Sequence, residues 1–103
     1  MTLPKEFLNR HMVGAFIVLG DGRQMPADFY GDIYDHAHER IPTLLHGHKY
    51  KAEHITGPNF WVPLPPVLAS MAGRCIHDMA VRGLLPLAIA VGYRGVTLRY
   101  VLR

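Results

Sequence analysis

The sequence predicts an α+β domain: helices packed on a C-terminal antiparallel β-hairpin, with an additional strand near the N-terminus. Three observations carry this expectation. Apolar side chains recur at helical spacing in two places, residues 28–44 and 66–82. The last stretch, residues 85–102, changes to two short apolar or alternating runs around Gly92-Tyr93-Arg94-Gly95. Glycine and proline punctuate the chain at Gly20, Gly22, Pro42, Gly47, Gly57-Pro58, Pro65-Pro66 and Gly83.

Taken in order, Pro4 opens a short helix through Met12. Residues 13–19 are apolar and rich in β-branched and aromatic types, which predicts one buried strand ending at the turn Gly20-Asp21-Gly22. The next helix starts near Asp28. Its apolar stripe is Tyr30, Ile33, Tyr34, Ala37, Ile41 and Leu44, with Asp28 and Asp32 early and Arg40 late, as the helix dipole favours. Pro42 ends or breaks it, because proline removes a donor and disfavours helix in the residue before it. Residues 43–58 are polar and histidine-rich, and are expected to form a long connection with a short strand near residues 50–55. Trp61, the only tryptophan, is expected to anchor the core.

Pro65-Pro66 suits the first turn of a helix running to Arg82, with Gly83 as its terminator. One face of that helix is Leu68, Met71, Ala72, Cys75, Ile76 and Met79; the other is Ser70, Arg74, His77, Asp78 and Arg82. Gly73 either lets the backbone approach a phosphate or turns the chain between two shorter helices. Strand residues 85–91 and 96–102 then close the hairpin.

At 103 residues, half of them apolar, the chain has room for a single domain with one core. Within it, residues 1–58 hold the strand, helix and connection, and residues 59–103 hold the helix and hairpin. The lone Cys75 cannot form an internal disulfide. No basic-then-apolar leader is visible in residues 1–6, and no apolar run approaches the ~20 residues that a spanning helix needs. No membrane association is expected, and a reducing cytoplasm is the expected location. Charge is unevenly spread. Residues 1–69 carry a balance of −1, whereas residues 70–103 carry five arginines against Asp78 alone, a balance of +4. Arginine presents a planar fork of donors that suits phosphate oxygens and guanine edges, so the basic end points to a polyanionic partner.

Helix, glycine, strand, basic turn, strand is the C-terminal order of a winged helix. The run Arg74-Cys75-Ile76-His77-Asp78-Met79-Ala80-Val81-Arg82-Gly83-Leu84 resembles the end of a recognition helix in winged-helix regulators of the helix-turn-helix superfamily, with residues 85–103 as the wing. The resemblance covers about forty residues. It implies a winged-helix-like domain that binds double-stranded DNA through Arg74, His77, Arg82, Tyr93, Arg94 and Arg99, acting as a homodimer. A regulator or accessory factor of a phage or other mobile element fits the small size. The alternative reading is a protein-interaction module that binds or inhibits a larger partner through the same basic end.

Seven histidines are the oddest feature of the composition. A second alternative is a histidine-based metal-binding protein using His46, His48 and His54, but no His-Glu-x-x-His pattern or cysteine pair accompanies them, and neither a metal nor another cofactor is expected. Cys75 lies on the apolar face and reads as an inert buried thiol. Ser70 and His77 are about two turns apart on their helix, too far for a direct hydrogen bond, and no enzymatic constellation is read.

Overall fold

In the computed structural model, residues 2–91 and 98–103 are described. A short helix α1 (Lys5–His11) leads into a three-stranded antiparallel meander of β1 (Met12–Val13), β2 (Phe16–Val18) and β3 (Gln24–Pro26). The single strand expected over residues 13–19 is therefore a hairpin. Val13 pairs with Phe16 across Gly14-Ala15, and Gly14 has φ +59°, a conformation glycine adopts without steric cost. A continuous apolar run cannot signal such a reversal, because both arms of the turn are equally apolar. Ile17 and Met25 face each other across β2 and β3 and are both buried.

Helix α2 (Ala27–Arg40) buries Tyr30, Ile33, Tyr34 and Ala37, the stripe that the spacing predicts. It passes directly into a single 3-10 turn at Ile41–Thr43, where Pro42 interrupts the α-helical pattern. The connection that follows is not a strand. Lys51 precedes the short helix α3 (Ala52–Thr56), and α4 (Pro58–Trp61) follows across Gly57 at φ +90°. Only Tyr50 behaves as the predicted strand: its amide and carbonyl both bond to Tyr100, an isolated antiparallel bridge. Arg40 reaches from the end of α2 to the carbonyl of His54, at 2.8 Å, and holds α3 in place.

Helix α5 (Pro66–Arg82) is continuous through Gly73, so the turn considered there does not occur. The turn lies earlier, in the four residues from Val62 to Pro65 between α4 and α5. Gly83 is left-handed (φ +75°, ψ +17°), its amide bonds to Ala80, and the Leu84 amide reaches back to Met79. These two bonds form a Schellman motif and satisfy carbonyls that the helix end would leave open. Strands β4 (Leu87–Val91) and β5 (Arg99–Leu102) pair antiparallel, with a register shift between Ile89 and Val91. One core joins all of this, with Ile17, Tyr30, Ile33, Ile55, Ile76, Met79, Leu87 and Tyr100 at its centre. Trp61 packs at the core's edge, half-buried rather than central. No helix among the described residues is long and apolar enough to cross a membrane.

Candidate functional site

Helix α5 carries three of the six residues that the sequence nominates, Arg74, His77 and Arg82, and its two faces differ sharply. Inward, Ala72, Cys75, Ile76, Met79 and Ala80 are buried. Outward, Val67, Ser70, Arg74 and Val81 are exposed, and His77 is half-buried between the last two. Steps of three and four residues place these five on one stripe along the helix.

Asp78 is not on that stripe. It was expected on the outer face, but it is buried at 7% exposure, and its carboxylate collects donors from three elements. The Gly20 amide donates at 2.8 Å, the Tyr30 hydroxyl donates at 2.9 Å, and Arg82 Nε lies 3.2 Å away. Burial, then the charge of Asp78 and the hydrogen bond to it, raise the pKa of the Tyr30 hydroxyl, so this phenol stays protonated and remains a donor.

Arg82 is the second correction. It was expected to face nucleic acid, yet its side chain is only 16% exposed. Besides Asp78, it donates from Nη2 to the Val18 carbonyl at 2.7 Å and lies over the Phe7 ring at 5.4 Å from the centroid. An arginine held by a carboxylate, a carbonyl and an aromatic face is not available to a phosphate. Arg99 also leaves the surface shared with α5. It is half-buried on β5 beside the buried Tyr100, and strand alternation turns it to the sheet face opposite α5. Arg103 is exposed but donates to the Leu87 carbonyl at 3.0 Å. Tyr93 and Arg94, placed at the hairpin tip, lie outside the described residues. Arg74 is thus the nominated arginine whose side chain stands exposed with no hydrogen bond or ion pair to the described residues.

Beside α5 is a cavity of about 680 Å3. Its walls are the helix from Ala69 to Val81, the loop at Gly20, Trp61 of α4, Tyr100 of β5 and Leu98 just before that strand. Burial pushes the Tyr100 hydroxyl up to about 12. Sequence reasoning did not find this feature, because its walls come from four separate segments that only tertiary packing brings together. The one available signal was Trp61, a large residue placed just before α5.

Cys75 is fully buried, and desolvation followed by the nearby Asp78 charge pushes its thiol up to about 12. That suppresses the thiolate a nucleophile requires. The histidines are dispersed into separate local roles. His36 bonds the Asp32 carbonyl, His38 stacks on Tyr34, His48 stacks on Tyr50, and His54 Nδ1 accepts the Lys51 amide. Among the described residues no group of three or more histidine, cysteine or acidic side chains is placed to hold a metal, so His46, His48 and His54 are not brought together as ligands. Comparison with protein-family models, with characterised proteins and with solved structures finds no match for this chain.

Proposed function

We propose that this chain is a small nucleic-acid-binding protein of winged-helix type, which meets double-stranded DNA with the outer stripe of α5. The observation that carries this reading is the withdrawal of Asp78. The only acid in residues 70–103 is buried and neutralised by Arg82, so the outward face of α5 presents Ser70, Arg74 and His77 with no carboxylate from its own helix. Arginine and serine are suited to base edges and phosphates, and an exposed valine such as Val67 suits a thymine methyl group. The order of α4, a four-residue turn, α5, the Gly83 stop and the β4–β5 hairpin agrees with the layout that the resemblance implies. The bridge from Tyr50 to Tyr100 ties that hairpin to the body of the domain.

The test is fluorescence anisotropy of a labelled random duplex at two salt concentrations. Non-specific binding of this kind has a Kd of roughly 10⁻⁴–10⁻⁶ M and weakens steeply with salt. Arg74→Glu is expected to abolish it, because a carboxylate would then stand at the centre of the stripe. Duplex binding that ignores this charge reversal would refute the assignment.

A second reading, docking on a protein partner, is favoured by one observation. Val62, Val67 and Val81 are 77%, 71% and 63% exposed, on α5 and in the turn before it. Association with a protein that is insensitive to salt, with no duplex binding, would favour that reading over the first.

A further inference from the structure

We propose that the cavity beside α5 is a binding site for a small amphipathic anion, a molecule with an apolar, ring-sized body and one acidic group. Its volume of about 680 Å3 falls within the ~300–1,000 Å3 typical of small-molecule sites. Trp61, Leu98 and Tyr100 supply flat or apolar walls, and the polar groups are concentrated on the helix side.

Gly73 and His77 shape the helix wall. Gly73 sits mid-helix, where glycine costs about 1 kcal/mol relative to alanine. A Cβ placed there would meet nothing within 4 Å among the described residues, so the bare backbone makes no close packing contact that would explain it. It leaves open space in the cavity wall. One turn on, His77 also lines the helix wall, half-buried beside Arg74.

The sign of the ligand follows from the rim. Arg74 on α5 is exposed and has no partner among the described residues, so its charge is available. Both carboxylates in the lining are already engaged: Asp78 lies 3.2 Å from Arg82 Nε, and Asp21 accepts the Arg23 amide at 2.9 Å and lies 3.7 Å from Arg23 Nε. An anion beside Arg74 and His77, with its apolar body reaching toward Trp61 and Leu98, satisfies both walls. This site does not depend on nucleic-acid binding, although an occupant would hold the same Arg74 that the proposed duplex contact uses.

The probe is anilinonaphthalene sulfonate, which combines an apolar ring system with one anionic group, titrated into the folded protein without nucleic acid. The expected result is saturable binding of one probe per chain, with a blue-shifted emission. Gly73→Leu projects a branched side chain from the helix wall into the cavity and favours the helix, so it should abolish the signal while circular dichroism shows an intact fold. Arg74→Gln should weaken binding about tenfold, the loss expected for one charge-assisted contact. The uncharged parent amine should bind more weakly than the sulfonate and be indifferent to Arg74→Gln. Absence of saturable binding, or binding that survives Gly73→Leu, would overturn the site. A sulfonate that binds Arg74→Gln as well as the unaltered protein would overturn the anionic assignment.

Discussion

Replacing Asp78 with asparagine changes one atom's charge and strands three partners. The carboxylate accepts from Gly20 and Tyr30 and pairs with Arg82, all within 3.2 Å. An amide can offer one oxygen to these donors, but its NH2 group must then face another donor. Arg82 suffers most, because its Nη1 is already enclosed without a partner among the described residues. Breaking a buried ion pair by removing one member costs about 3–5 kcal/mol, against a total stability of about 5–15 kcal/mol for a domain. At roughly 4–8 °C per kcal/mol for a domain of this size, Tm should fall by about 12 °C or more. Urea denaturation followed by circular dichroism should show a lower midpoint with an unchanged slope, the sign of lost stability rather than altered compactness. The pair Asp78→Leu with Arg82→Met should recover much of the loss seen in Asp78→Leu alone, because neither charge is then left buried by itself. A loss below about 1 kcal/mol for Asp78→Asn is what an exposed pair gives, and it would refute the reasoning by returning Asp78 to the surface.

Other outcomes follow from the same geometry. Gly83→Ala should destabilise the domain by about 1–2 kcal/mol in urea titration, since alanine pays the left-handed penalty although a Cβ there meets nothing within 4 Å among the described residues. Stability should fall as pH rises above about 9, because the unfolded thiol and phenols ionise near their ordinary values of about 8.5 and 10. The folded chain instead holds those protons, with Cys75 and Tyr100 both raised to about 12 and Tyr30 raised as well. Raised folded pKa values stabilise the fold fully below the unfolded values and lose that contribution as pH climbs through the folded ones. Cys75→Ala should remove the earliest part of this decline in a Tm-versus-pH series.

Much of this architecture can be read from residue order, and the exceptions have physical causes. Helix α2 and helix α5 announce themselves because four or more apolar side chains repeat at helical spacing and a proline or glycine closes each one. The stop at Gly83 is legible because only a left-handed residue lets Leu84 turn back onto Met79. The β1–β2 reversal is hidden inside a uniformly apolar run. Helix α3 has five residues, of which Ile55 and Thr56 are buried, too few to establish a period. The pairing of Asp78 with Arg82 is visible as an i,i+4 spacing, but its burial is not. That is decided by Tyr30 and Gly20, which lie 48 and 58 residues away in sequence. The candidate site suffers from the same gap. Helical periodicity separates an inner face from an outer one, but residues at the boundary go whichever way their distant partners pull them. Arg82 went inward and Arg74 outward, although both were assigned to one surface.

The central claim is that Arg74 faces outward on an acid-free helix surface and contacts a phosphate or a base edge of duplex DNA. The most direct measurement is the slope of log Kobs against log salt concentration for random duplex, compared between the unaltered chain and Arg74→Ala. If Arg74 contacts phosphate, the variant should bind more weakly at every salt concentration, and its slope should be shallower by about 1, the share of one released counterion. Identical lines for the two proteins, or no dependence on salt in either, would contradict the account.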